Sequence, residues 1–178
     1  MPELVAPTVD LYESWCEARA EFGDDTQLHG TGFDPSVDVS TAAAFADWVA
    51  HLRRQADESI PTEPNRVHCT FRWLVEGDTY LGAINLRHRL NEFLARAGGH
   101  IGYSIRPSAR RRGLASWALH ETLRAARERG IDRVLITCVD GNIGSARTIE
   151  RAGGVLENLL QTPEFGLVRR YWITLTPR

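Results

Sequence analysis

The residues best suited to chemistry lie between Arg106 and Ser116. This stretch, RPSARRRGLAS, places four arginines within seven residues and then a glycine among small or compact side chains. An arginine cluster of this kind is either a solvated face or a contact for a polyanion. The stretch follows an apolar, strand-like segment, HIGYSI, and precedes a helical pattern, so Gly113 opens a helix. A strand feeding a helix through such a loop gathers unpaired backbone N–H groups and the positive end of a helix dipole at one point. That combination is an anion site. Gly113 and Ala115 are small enough to let a phosphate approach the backbone, with Arg110, Arg111 and Arg112 adding charge-assisted contacts or an attractive rim. On this stretch alone the alternative stays open in which Gly113 only turns the chain and the three arginines are solvated.

Spacing separates this loop from other phosphate loops. It is not G-x-x-x-x-G-K-[ST], because no lysine follows, and it is not G-x-G-x-x-G, because it holds one glycine. The pattern is R-x-x-G-x-A, Arg110 to Ala115.

The elements that must position the loop flank it on both sides. After Gly113, Ala115, Leu119, Leu123 and Ala126 recur at helical spacing, arginines fill the last turn and Gly130 ends the helix. RVLITCV then forms a continuous apolar, β-branched run, as expected of a strand covered on both faces. Strand, helix and strand make a right-handed parallel crossover. Upstream, HCTFRWLV and TYLGAINLRH flank a turn at Glu76-Gly77-Asp78 and predict an antiparallel hairpin, with the polar-apolar segment RLNEFLARAGG leading on to HIGYSI. Downstream, GNIGSARTIERAGG predicts a short helix, and VLENLL with LVRRYWITL a C-terminal hairpin around TPEFG. The first third is helical and polar, with helices over Asp10 to Phe22 and Val39 to Asp57, the second capped by Ser40. Between them DDTQLHGTGFDPS, rich in Gly, Asp and Ser, reads as a mobile loop.

Composition bounds the rest. A chain of 178 residues, 43% hydrophobic, buries a full core and suits one domain spanning residues 1–178. A net charge of −2 argues against a dedicated nucleic-acid binder, so the arginines need a local explanation. MPELVAPTVDLYESW lacks a basic start followed by an apolar core, and no apolar run approaches a membrane span, so the expectation is a soluble cytoplasmic protein with no membrane partner. Cys16, Cys69 and Cys138 are odd in number and widely spread, which points to reduced thiols and to neither a disulfide framework nor a metal site.

The loop after a strand in antiparallel-then-parallel order, with Asn142 in DGNIGSARTIERAGG about one βα unit later, resembles the acetyl-CoA site of the GNAT superfamily of N-acetyltransferases. The wording GHIGYSIRPSARRRGLAS with NIGSARTIERAGGVLEN is most similar to a bacterial branch of predicted acetyltransferases. The resemblance covers roughly His68 to Arg178, with the helical N-terminal part fitting loosely. It implies an α/β fold of the α+β kind: a central mixed antiparallel and parallel sheet flanked by helices, with a β-α-β acetyl-CoA-binding core.

The resemblance also implies roles. Backbone amides of Arg111, Arg112, Gly113, Leu114 and Ala115, with the Ser116 hydroxyl nearby, would hold the pyrophosphate. The strand edge around Tyr103 and Ile105 would pair with the pantetheine arm as an added strand does. This strand would part from RVLITCV to admit the thioester, and an N–H near Ile105 would polarise the acetyl carbonyl. Asn142, with Ser145 beside it, would contact the cofactor arm; the other reading of Asn142 is a helix cap. Seven residues after the asparagine, where many members carry a tyrosine that protonates the departing thiolate, stands Ile149. Tyr103 and Tyr171 are the substitutes by proximity in the predicted fold, each equally a packed strand aromatic.

An acceptor alkylammonium with a pKa near 10.4 must lose a proton before attack. His100 and His88 are the candidate bases beside the predicted acetyl position, with a structural role as each one's alternative, and Glu92 and Asp140 are carboxylate candidates. Cys138 within an apolar strand reads as a small core residue rather than a nucleophile. The expected activity is direct acetyl transfer to the primary amine of a small molecule or peptide. A noncatalytic acyl-CoA-binding module on the same fold is the other class, a nucleic-acid role comes last, and a homodimer stays open.

Overall fold

The computed structural model describes residues 1–23 and 28–175. Two antiparallel sheets meet at one strand junction. The first is ordered β1 (Glu3–Val5), β2 (Cys69–Glu76), β3 (Thr79–Arg87) and β4 (Ile101–Ile105). The second is ordered β5 (Arg133–Val139), β7 (Gly166–Thr174) and β6 (Val155–Thr162). The hairpins expected around Gly77 and around TPEFG are both present.

Strand alternation sends β2 and β3 side chains into two separate cores. Phe71, Trp73 and Tyr80 pack under α1 (Tyr12–Phe22) and α2 (Ala42–Arg54), in an aromatic cluster with Trp15, Phe45 and Trp48. Leu74, Ile84 and Leu86 face the opposite way, under α3 (Leu114–Glu128), whose apolar stripe of Leu114, Ala118, Leu119, Leu123 and Ala126 is buried. Ala115, expected in that stripe, is only half-buried. It lies at the helix start, on the side of the arginine loop.

α2 is capped by Thr41, whose hydroxyl accepts the Ala44 N–H (3.1 Å), rather than by Ser40. Ser40 is drawn instead into a turn on Asp38, which accepts both its N–H and its hydroxyl. Of the loop DDTQLHGTGFDPS, residues 24–27 lie outside the described residues. Leu28 to Thr31 form a packed turn rather than a free loop: Thr31 is buried, its hydroxyl donating to the Leu28 carbonyl (2.8 Å). No helix among the described residues is long and apolar enough to cross a membrane.

The crossover β4-α3-β5 makes β4 and β5 parallel neighbours, yet among the described residues no ladder joins them. They meet at one clasp. The His100 N–H donates to the Leu135 carbonyl (2.7 Å), and the Leu135 N–H donates to Nδ1 of His100 (2.9 Å). The imidazole takes the place of a backbone acceptor, and past it the strands diverge. His100 is therefore a buried joint at the closed end of the gap, not a base open to an acceptor. Burial, with Arg87 nearby, holds its pKa down at about 4.

An imidazole with an unfolded pKa near 6.5 and a folded value near 4 contributes stability that is complete above pH 6.5 and is lost as pH falls toward 4. The wild-type protein should therefore lose roughly 1–2 kcal/mol more of unfolding free energy between pH 7 and 5 than His100→Asn, whose Oδ1 can accept from Leu135 without titrating. His100→Ala, which orphans the Leu135 N–H, should cost about 1–3 kcal/mol at pH 7. Urea unfolding at the two pH values checks both, and parallel pH dependence in wild type and His100→Asn would refute the clasp's titration.

Candidate active site

The arginine loop answers its own charge question. Arg106 is tied to α1 through Glu21 (2.7 Å) and Glu17 (3.3 Å), and Glu21 also accepts the N–H and hydroxyl of Ser108, both at 3.0 Å. These bonds, the Ser108 N–H foremost, hold the Glu21 carboxyl below its ordinary pKa. Arg110 donates to the Ile105 carbonyl (3.2 Å) and lies over the Phe22 ring (5.9 Å), while Arg112 pairs with Glu76 (2.7 Å). Three of the four guanidinium groups thus brace the loop. Arg111 is exposed, in the left-handed region at φ 65°.

What the bracing presents is backbone. Gly113, at φ 77°, caps α3 without a side-chain bond, and the first helical bond of α3 runs from the Trp117 N–H to the Gly113 carbonyl. The N–H groups of Leu114, Ala115 and Ser116 precede it and have no intrahelical acceptor. A Cβ placed on Gly113 would meet nothing within 4 Å, so the approach to these groups is open. The geometry suits a phosphate group held by amides at a helix N-terminus.

The diverging strands open beside this loop. Arg106 N–H donates to Leu81 on β3, so by ladder alternation the backbone groups of Tyr103 and the N–H of Ile105 point away from β3, toward the gap, while the Ile105 carbonyl is taken by Arg110. On β5, Leu135 faces His100 while Asp140 N–H bonds to Leu167 of β7, so Thr137 and Val139 present their backbone to the gap from the other side. Two parallel polar edges therefore face each other without pairing, a slot for an extended chain carrying amides.

One face of the slot carries hydroxyls. Tyr103 reaches across to α4 (Ile143–Arg151), its hydroxyl 2.8 Å from Ser145 Oγ, and burial pushes its pKa up to about 12. Asn142 caps α4, its Oδ1 accepting the Ser145 N–H (3.0 Å), which realises the helix-cap reading. Cys138 lies beneath, buried, and burial raises its thiol pKa further from a reactive thiolate. Ile149 is fully buried in the core, against Gly154.

The remaining candidates lie elsewhere or are committed. His88 sits near the C-terminal end of α3, about 22 Å of helix from Gly113, with Nε2 on Thr70 (2.8 Å) and Nδ1 against Glu58 (2.7 Å) and Arg129 (2.8 Å). His88, expected beside the acetyl position, thus has both ring nitrogens engaged. Tyr171 is buried and donates to Glu150 (2.9 Å), Asp140 pairs with Arg169 (2.7 Å), and Glu92 is exposed at the start of the turn before β4.

The face of β4 opposite Tyr103 holds a residue that the sequence reading passed over, His29. Gly30, at φ 79°, lies so close to β4 that a Cβ there would be 2.2 Å from the Gly102 carbonyl oxygen. Ser104 Oγ donates to the His29 carbonyl (2.6 Å), which pins the turn to the strand. The His29 ring meets Phe165 of the β6–β7 turn at 6.0 Å, and Phe93 meets Phe165 at 6.3 Å. Arg96 and Glu164, 2.5 Å apart, join the turn before β4 to the β6–β7 turn. A histidine between a leucine and a glycine was the only signal in the sequence, and it carries no meaning until Gly30 is seen to dock on Gly102.

Residues 10–155 match the family model described as Acetyltransferase (GNAT) domain. No curated protein matches the sequence. Among solved structures, the fold is similar to the RimL ribosomal L7/L12 alpha-N-protein acetyltransferase in complex with coenzyme A, crystallised with a CoA–cysteine disulfide (TM-score 0.72, 16% identity, 98% of this chain and 94% of that one). It is similar also to the Salmonella typhimurium acetyltransferase that modifies the N-terminal serine of 50S ribosomal subunit protein L7/L12 (TM-score 0.68, 16% identity, 98% and 95%). The microcin C7 self-immunity acetyltransferase MccE, in complex with acetyl-CoA and AMP, is a third (TM-score 0.67, 15% identity, 98% and 92%). At these identities the likeness to solved structures is one of fold, and it agrees with the mixed α/β architecture. With the family model covering most of its length, the chain belongs to the GNAT family of acetyl-CoA-dependent acetyltransferases.

Proposed function

We propose that the protein transfers the acetyl group of acetyl-CoA directly to a primary amine while both substrates are bound. The observation that carries this reading is the divergence of β4 from β5 immediately beside the open N-terminus of α3. Acetyl-CoA supplies an acyl group activated as a thioester; the chain supplies position and proton handling. The amides of Arg111 to Ala115, with Ser116 beside them, hold the pyrophosphate. The edge of β4 at Tyr103 and Ile105 pairs with the pantetheine amides, and an N–H at Ile105 polarises the carbonyl. Asn142 acts through its cap, which fixes Ser145 at the slot. The hydroxyls of Ser145 and Tyr103 stand where a departing thiolate would need a proton, which fills the role left open by Ile149. Direct transfer is favoured over a covalent acetyl-cysteine because the Cys138 thiol is buried and its pKa raised.

Acceptor class is the finer question. Relatives of this fold include enzymes whose acceptor is a protein N-terminal serine and one solved with acetyl-CoA and AMP, so peptide α-amines and small-molecule amines both belong in the screen.

Acetyl-CoA at 100 times its dissociation constant should raise the unfolding free energy by about 2.7 kcal/mol, and Gly113→Glu, which places a carboxylate among the phosphate-binding amides, should abolish that gain. An undiminished thermal shift in the variant would exclude the loop as the phosphate site.

Release of free CoA with a panel comprising a serine-terminated peptide, a lysine-containing peptide, an amino acid amide and an aminoglycoside tests the activity. At least one should turn over, with intersecting initial-rate patterns and with most of the rate kept in Cys138→Ala. A thiol leaving group with pKa near 8.5 tolerates incomplete protonation, so Tyr103→Phe and Tyr171→Phe should each lose less than about tenfold. Ping-pong kinetics together with an acetylated Cys138 would replace direct transfer by a covalent route.

A further inference from the structure

We propose that His29 is the general base that takes the proton from the acceptor amine, an inference that rests on the direct-transfer reading above. The ring is placed by two backbone constraints, the Ser104 hydroxyl on the His29 carbonyl (2.6 Å) and the close docking of Gly30 on Gly102. Both partners belong to β4. Ser104 lies between Tyr103 and Ile105, the two residues whose backbone lines the slot, and its side chain points to the face opposite Tyr103. His29 therefore stands across the strand edge from the Tyr103–Ser145 hydroxyls. The ring is exposed, so an acceptor can reach it from solvent.

The other histidines are engaged or lie elsewhere. Among the described residues no hydrogen bond engages either ring nitrogen of His29, whose side-chain neighbour is Phe165. His100 spends Nδ1 on Leu135, His88 has both nitrogens engaged, and His68 uses Nε2 on the Ile60 carbonyl (2.8 Å). His51 and His120 lie on the exposed faces of α2 and α3. Glu164 is paired with Arg96 and Asp140 with Arg169.

The charged groups facing His29 are Arg87 from β3 and, beside Phe165, the Arg96–Glu164 pair. Protein crowding one side of the ring, then Arg87, holds its pKa below the ordinary imidazole value. At neutral pH the ring is uncharged and can accept a proton.

The step balances. The amine nitrogen forms a bond to the acetyl carbon, and its surplus proton passes to an imidazole nitrogen. The C–S bond breaks with its electron pair on sulfur, which takes a proton from the hydroxyl side. The imidazolium then returns its proton to water through the exposed face, and the hydroxyl pair, left one proton short, recovers one from water, so that amine and thioester become amide and thiol with no net change in charge. Apolar Phe165 and Phe93 border the same opening.

The experiment compares wild type with His29→Gln and His29→Asn, using whichever panel amine releases CoA fastest, from pH 6.5 to 9.5. At pH 7 kcat/KM for the amine should fall at least about 100-fold in both variants, while the thermal shift produced by acetyl-CoA is kept. The deficit should shrink to under about tenfold at pH 9.5, where the amine itself is increasingly deprotonated. A merely structural residue would give a loss that does not change with pH. Rates within threefold of wild type at pH 7, a deficit constant across the range, or loss of the acetyl-CoA shift in both variants would each overturn the assignment. Failure of wild type to turn over any panel amine would instead overturn the transfer reading on which it rests.

Discussion

The structure depends on two parallel strands that fail to zip. A buried or half-buried strand edge carries one donor and one acceptor per alternate residue, and these must be satisfied by something. Along most of β4 the partner is β3, and along β5 it is β7. On their facing edges a parallel ladder would be the default solution, and the His100–Leu135 clasp begins one. It ends there, because the clasp spends a side-chain nitrogen where a backbone carbonyl would continue the register. The polar groups beyond it remain open, as the proposed pairing with the amides of a bound ligand requires.

A second constraint acts on charge. As the proposed phosphate site, the loop that precedes α3 must present bare backbone to an anion, yet a loop with two left-handed residues, Arg111 and Gly113, has little to hold it rigid. The arginines supply that rigidity by ion pairs to α1 and to β2, so positive charge stays near the anion site without filling it. Individually such partly exposed pairs are worth little, on the order of 1 kcal/mol or less each. Their value here is geometric: three anchors around one glycine fix where the amides point.

How much of this was legible follows from whether the determinant was local. The loop before α3, the helix after it and both hairpins could be read because small residues, turn glycines and hydrophobic periodicity act within a few positions. Asn142 as a cap was open to the same reading, since a cap bonds three residues on. Thr41 displaced Ser40 because Asp38, a neighbour able to form its own turn, took Ser40 first. His100, His88 and Arg106 were read by residue type, and each owes its role to a partner distant in sequence: Leu135, Glu58 and Glu21. His29 is the limiting case. It lay in a segment whose glycines suggested looseness, whereas Gly30 is there because any side chain would strike β4.

The two faces of β4 divide the chemistry. Acyl transfer to an amine must remove a proton from nitrogen and deliver one to sulfur, and a single group beside both atoms would have to change its protonation state between the two events. A strand in extended conformation resolves this by alternation, because Tyr103 and Ser104 point to opposite sides of the same backbone. Tyr103 meets Ser145 under α4 on one side, and Ser104 holds the His29 turn on the other. The hydroxyl pair is kept protonated by burial, which lifts Tyr103 to about 12. The imidazole is kept neutral by crowding and by Arg87. In the proposed transfer one strand, too short to contribute more than a few side chains, thereby holds an acid and a base on opposite faces at neutral pH, beside the edge that β5 leaves open.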